Sequence, residues 1–203
     1  MASIRYIDTM PSKKKSAQAK AHSKSVQVLK SRTTYRSPVF HVTSEIVTEP
    51  TGVTARRDLV RHPGSVVVLA VDDTGPEPKI LLERQFRYAA GKFLWELPAG
   101  SMDPNESALE GAKRELLEET GYSARHWKLA LFYYPSPGFL TETMSVFLAQ
   151  DLQHGKANPE ADEVIKTRMF PLSAALKMVS TGRIVDGKTI SGVLWLAQVV
   201  HSA

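Results

Sequence analysis

The chain of 203 residues is long enough for one domain with a continuous core and does not require two. Apolar residues make up 42% and charged residues 23%, which excludes a wholly disordered or fibrous chain; the absence of cysteine excludes a disulfide framework, a thiol nucleophile and thiolate metal ligation. The net charge of +5 is unevenly spread, because residues 1–36 carry nine basic side chains against Asp8 alone, leaving 17 basic and 20 acidic residues in the remainder. Residues 1–36 therefore read as a basic N-terminal extension, rich in Ser, Lys, Ala and Gln and expected to be mobile or weakly helical, and residues 37–203 as the folded domain. The extension reads as a solvated arm rather than a nucleic-acid grip, since no RNA-stacking motif accompanies it. No apolar run reaches the length of a membrane span, roughly 18 residues. With no secretory stretch at the start, a soluble, cytoplasmic protein is expected.

In chain order, Val39 to Val47 alternates as a strand, and Ser65 to Val71 is an apolar β-branched run of the buried-strand type. Lys79 to Phe86 resumes after a Gly75-Pro76-Glu77-Pro78 turn. A helix is predicted over Asn105 to Thr120, followed by strands at Lys128 to Tyr134 and Glu142 to Ala149 with a Pro-Ser-Pro-Gly loop between them. Val164 to Phe170 reads as a last strand, and helices are predicted at Pro171 to Ser180 and from Lys188 onward. A mixed sheet with few helices implies an α/β sandwich.

The segment from Gly100 to Tyr122, GSMDPNESALEGAKRELLEETGY, carries the chemistry. Asp103-Pro104-Asn105 supplies a turn and a helix start, and Gly121 sits where a left-handed helix stop belongs. Ala108, Leu109, Ala112 and Leu116 form the stripe that would face a sheet, while Glu115, Glu118 and Glu119 share one edge. Like charges at this spacing repel, and negative charge near a helix C-terminus opposes the macrodipole, so a cation is required. Arg114, with Glu106 its candidate partner, can neutralise only part of the cluster. Clustered hard oxygens suit Mg²⁺ or Mn²⁺ rather than zinc. Alone, such a string would read as a solvated acidic face.

The wider pattern decides. Gly100, Glu106, Arg114, Glu115, Leu116, Glu118, Glu119, Gly121 and Tyr122 fall on every specified position of the Nudix box. A chance match in a chain of this length is on the order of 10⁻⁷ at ordinary residue frequencies. The sequence resembles the Nudix hydrolases, which cleave nucleoside diphosphates linked to a further group. The resemblance implies a Nudix α/β/α sandwich with a mixed sheet, in which the box is the catalytic loop-helix-loop. Arg84-Gln85-Phe86-Arg87-Tyr88, Trp95-Glu96-Leu97-Pro98-Ala99-Gly100, Arg56-Arg57-Asp58, His62-Pro63-Gly64 and Pro137-Gly138 are similar to the ADP-ribose pyrophosphatase branch. Hydrolases of the GDP-mannose type share much of this pattern.

By that resemblance, Glu115 and Glu119 ligate Mg²⁺ or Mn²⁺, Glu118 shares a metal or binds through water, and the carbonyl of Ala99 completes the shell. Arg57, Arg87, Glu96, Pro137 and Gly138 are the implied substrate-binding residues. The implied catalytic set is Glu163, with Glu160 its alternative as general base, together with Glu119, Arg114 and Glu106. The branch also implies a homodimer that exchanges N-terminal strands, bringing Tyr35 or Phe40 towards a partner's pocket, and a nucleoside diphosphate sugar as substrate. Neither a membrane nor a nucleic-acid partner is expected. A sugar-nucleotide hydrolase with another base or hexose, and a non-catalytic sensor on the same fold, are the alternative functions. The six histidines show no metal-ligand spacing.

Overall fold

The computed structural model describes residues 25–155 and 165–202, which divide into two compact units. Residues 25–62 and Ser136–Thr141 form one of them. Its three-stranded antiparallel sheet runs β1 (Gln27–Arg36), β2 (His41–Thr48) and β3 (Thr54–Arg61), with β2 at the centre. The expected strand at Val39 to Val47 is thus paired on both sides within its own chain. The reading of residues 1–36 as a mobile or weakly helical arm fails over Gln27–Arg36, which form a strand. All ten of those residues are exposed, so no buried face marked them in the sequence; the pairing with β2, including a bond from Ser31 Oγ to Glu45, supplies the order. Polar β3, which has no buried residue, likewise shows no marked face in the sequence.

Residues Pro63–Pro135 and Glu142–Ser202 build the other unit, apart from the positions outside the described residues. Its strands are β4 (Ser65–Asp72), β5 (Lys79–Arg87), β6 (Lys92–Glu96), β7 (Ala99–Ser101), β8 (Tyr122–Tyr133), β9 (Met144–His154) and β10 (Lys166–Pro171). Among the described residues these form a seven-stranded mixed sheet, ordered β10-β5-β4-β9-β8, with β6 paired to β5 and β7 to β4. The β4–β9 pair is parallel and the other pairs are antiparallel. Strand β4 is buried from Ser65 to Val71 because both faces are covered, which explains its unbroken apolar run. Val66, Val68 and Ala70 pack with Ala112 and Leu116 of helix α1 (Ala108–Thr120). On the opposite face, Gly192 of α3 (Gly187–His201) lies against Leu97 and Leu69, and α3 packs with α2 (Leu172–Ser180). The expected α/β/α layering follows from this alternation.

Strand β8 begins directly after Gly121, six residues before the predicted Lys128, since polar Ser123, Arg125 and His126 mask a segment that pairs with β9 as far as His154. Helix α1 begins later than Asn105, whose φ of 68° is left-handed. Its cap is Ser107: the hydroxyl accepts from Glu110 N at 3.3 Å, and the Glu110 carboxylate accepts from Ser107 N at 2.9 Å. Gly121, at φ 73°, ends the helix as predicted. Replacing this cap by Ser107→Ala is expected to lower stability by about 1 kcal/mol in urea denaturation, the usual cost of losing such a cap.

Candidate active site

Helix α1 packs against β7 and places the Glu115 carboxylate beside the Gly100 backbone. A Cβ on Gly100 would collide with the Glu115 carboxylate, so that carboxylate keeps this position only beside a glycine. Glu119, 5% exposed, accepts from Ala99 N at 3.1 Å. Gly111 makes equivalent room for Glu106, whose Oε2 would lie 2.9 Å from an added Cβ.

Arg114 holds this edge together. Its Nε and Nη2 donate to the two oxygens of Glu106 at 3.0 and 3.1 Å, and its Nη1 donates to Glu115 Oε1 at 2.8 Å and to Glu118 Oε2 at 3.0 Å. A fifth bond, at 3.3 Å, reaches the carbonyl of Ser101 on β7. The expected Arg114–Glu106 pair is present, and the same guanidinium also spans two of the three clustered carboxylates. Arg114 beside Glu106 holds that carboxyl below its usual range, against a smaller opposing effect of burial. The same hydrogen bond leads the causes that raise the Arg114 pKa. Among the described residues no three carboxylate or histidine side chains are arranged around a common metal position. Arg114 lies against Glu115 and Glu118, and Glu119 is bonded to the backbone of Ala99.

A second charged group lies on the neighbouring strands. Arg87, at the end of β5, donates from Nε and Nη2 to the two oxygens of Glu96 on β6 at 3.0 and 2.9 Å. Glu96 is 1% exposed and also binds Lys188 Nζ from the first turn of α3. Burial pushes the Glu96 carboxyl up, but Arg87 and Lys188 outweigh it and hold the group below its usual range. Burial likewise lowers Arg87, and is outweighed by Glu96 with added attraction from Glu83 and Glu119. Arg87 thus feels both the Glu96 pair and the carboxylate edge.

Of the remaining expected residues, Arg57, Pro137 and Gly138 belong to the other unit. There Arg57 is ion-paired to Glu49 at 2.5 Å, and Tyr35 and Phe40 face each other with ring centroids 5.8 Å apart. Glu160 and Glu163 lie outside the described residues. Lys188, Asp186 and Thr189 went unnoticed in the sequence. Asp186 caps α3 by accepting from Thr189 N at 2.9 Å, and Thr189 Oγ1 in turn accepts from Leu97 N at 2.8 Å. An Asp before a helix is a readable cap. The long-range partners Glu96 and Leu97, 92 residues away, leave no local signal.

A partly buried guanidinium next to a crowded carboxylate edge pairs a cation-seeking surface with an anion-seeking group, an arrangement suited to a negatively charged ligand carried with a metal ion. The family model described as the NUDIX domain matches residues 61–190. The chain is 37% identical over 164 residues to the ADP-ribose pyrophosphatase of Bacillus subtilis, covering 80% of this chain and 87% of that one. It is 38% identical over 133 residues to the GDP-mannose pyrophosphatase of Yersinia enterocolitica, covering 61% and 69% respectively. A crystal structure of an ADP compounds hydrolase superposes with a TM-score of 0.73 at 22% identity, covering 87% of this chain and 95% of that one. That likeness shows the fold.

Glu96 allows a test of the site's electrostatics in the metal-free protein. Removing one member of a buried pair typically costs about 3 kcal/mol, so Glu96→Gln should destabilise the protein by that order at pH 7. Because the folded-state pKa of Glu96 is lowered, its contribution is present above the unfolded value of about 4.3 and lost as pH falls through the folded value. Urea denaturation from pH 7 downward should show the gap between wild type and variant closing below that value.

Proposed function

The chain belongs to the Nudix family, and from that premise we propose that it is a metal-dependent pyrophosphohydrolase that cleaves ADP-ribose to AMP and ribose 5-phosphate. The observation that carries this reading is the carboxylate edge of α1 gathered by Arg114 and seated on the backbone of Ala99 and Gly100. Two features support a divalent cation there: an all-oxygen donor set, and carboxylates crowded enough that a guanidinium already lies between Glu115 and Glu118. When bound, Mg²⁺ or Mn²⁺ supplies charge neutralisation on the diphosphate oxygens. Glu115 and Glu119 would hold it, with Glu118 and the carbonyl of Ala99 as further donors.

The remaining work falls to the chain itself. Diphosphate oxygens repel an incoming water, so lowering that repulsion and aligning the water account for most of the catalysis. Arg87 spends two of its five N–H donors on Glu96, and the other three, which have no side-chain hydrogen-bond partner among the described residues, suit phosphate oxygens. Arg114, anchored on both oxygens of Glu106, offsets the repulsion between Glu115 and Glu118 by bonding to both. Glu163, with Glu160 its alternative, is assigned by resemblance to take the proton of the attacking water.

Hydrolysis of ADP-ribose, GDP-mannose, UDP-glucose and NADH with Mg²⁺ tests the reading. The expected result is fastest turnover of ADP-ribose, with AMP and ribose 5-phosphate as products. Preference for GDP-mannose would favour the hexose reading, which the identity to the Yersinia enzyme supports. No turnover by the folded protein would leave the sensor. Two variants separate the roles: Glu119→Gln should lose both metal affinity and rate, whereas Glu163→Gln should keep its metal requirement while kcat falls roughly 10²–10⁴-fold.

A second copy of the chain is the proposed partner. Strand β1 is exposed along its whole length, with Val28, Leu29 and Tyr35 each more than half exposed and Val26 just before it similarly bare. Light scattering at micromolar concentration is expected to give twice the chain mass, and replacement of Val28 and Leu29 by Lys to give the monomer.

A further inference from the structure

We propose that Lys188 is a positioning residue for the substrate-facing arginine: by binding the buried carboxylate of Glu96 it fixes Arg87 and leaves the positive charge of that guanidinium available to a diphosphate. The inference rests on the role given to Arg87 above and extends it to a residue on a different layer of the fold.

Glu96 Oε1 takes Arg87 Nε, and Oε2 is shared between Arg87 Nη2 and Lys188 Nζ. The Arg87–Glu96 pair alone is electrically neutral and would attract a diphosphate weakly. Lys188 adds the second cation on the same Glu96 oxygen that Arg87 Nη2 uses, whereas Asp186, 3.2 Å from Nζ, pairs with the lysine itself, so its charge acts on Lys188 first. Lys188 is also poorly placed for helix stability. It sits in the first turn of α3, where a positive charge opposes the macrodipole, and its side chain is only 11% exposed. Its attachment to Glu96 supplies a reason for that position. Thr189 grips the next residue, Leu97, and Gly192 lies against the Leu97 side chain, so the start of α3 holds the strand segment that bears Glu96.

The test compares Lys188→Gln, Arg87→Gln and the double variant, with KM and kcat for ADP-ribose and the thermal transition of each. Lys188→Gln keeps an N–H donor and removes the charge. The expected result is a KM raised about tenfold with kcat within about threefold. In the Arg87→Gln background, Lys188→Gln should change kcat/KM by less than twofold, because Lys188 acts through Arg87; a merely structural role would lower activity in both backgrounds alike. Unchanged KM, or equal losses in the two backgrounds, overturns the proposal. Loss of the cooperative thermal transition in both Lys188→Gln and Lys188→Met overturns it too, since Lys188 would then serve stability. If wild type hydrolyses none of the sugar nucleotides, the functional reading fails separately. Calorimetric binding of inorganic pyrophosphate then decides: a roughly tenfold weaker Kd in Lys188→Gln supports the positioning role, while equal Kd values, or no binding by wild type, overturn it.

Discussion

The close approach of the Glu115 carboxylate to the backbone at Gly100 is the constraint on which the site depends. It places the Glu115 carboxylate of α1 directly against β7, which in turn is paired to β4, buried from Ser65 to Val71. Carboxylates so arranged repel one another and weaken the helix if left uncompensated. Arg114 prevents this from within the cluster, reaching Glu106, Glu115, Glu118 and the Ser101 carbonyl at once. Packing and electrostatics are therefore not separable here: Ala112 and Leu116 bury the other face of the same helix against β4 and fix where its charges stand.

The segment from Glu96 to Gly100 links this edge to the second charged group. Glu96 binds Arg87 and Lys188, Leu97 N donates to Thr189, Ala99 N donates to Glu119, and Gly100 admits Glu115. Within five residues the chain passes from contacts with α3 to contacts with α1, on opposite faces of the sheet. A displacement of α3 would therefore act on the arginine side first, and one of α1 on the carboxylate side. Both clusters are fastened to strands rather than to long loops, which limits how far either can drift.

Much of this was legible in the sequence for a physical reason. Val66 to Val71 reads as buried because both faces are apolar, and the spacing of Glu115, Glu118 and Glu119 puts them on one helix edge whatever the fold around them. Arg114 is legible as the compensating cation because a crowded carboxylate edge needs one. What stayed hidden lacked a local signature. Strand β1 is exposed along its whole length and β3 is largely polar, so neither shows clear alternation. Lys188 is an ordinary lysine until the fold brings Glu96 to it from 92 residues away. The spread of Arg114 onto Glu115 and Glu118, rather than Glu106 alone, follows from side-chain geometry that spacing does not specify.

Fold likeness alone would leave enzyme and sensor equally open, since one architecture hosts many functions. The separation comes from what the charges cost. A protein that only recognised a nucleotide would have no need for three carboxylates on one edge of the last turns of α1, where mutual repulsion and the helix dipole both act against them. Replacing any of them by a neutral residue would relieve that repulsion. Their presence, together with a glycine that admits Glu115 to the backbone and an arginine held by a buried pair, fits the site proposed above for neutralising and orienting a diphosphate. Together with the Nudix pattern that surrounds it, the electrostatic cost on α1 therefore favours hydrolysis over recognition.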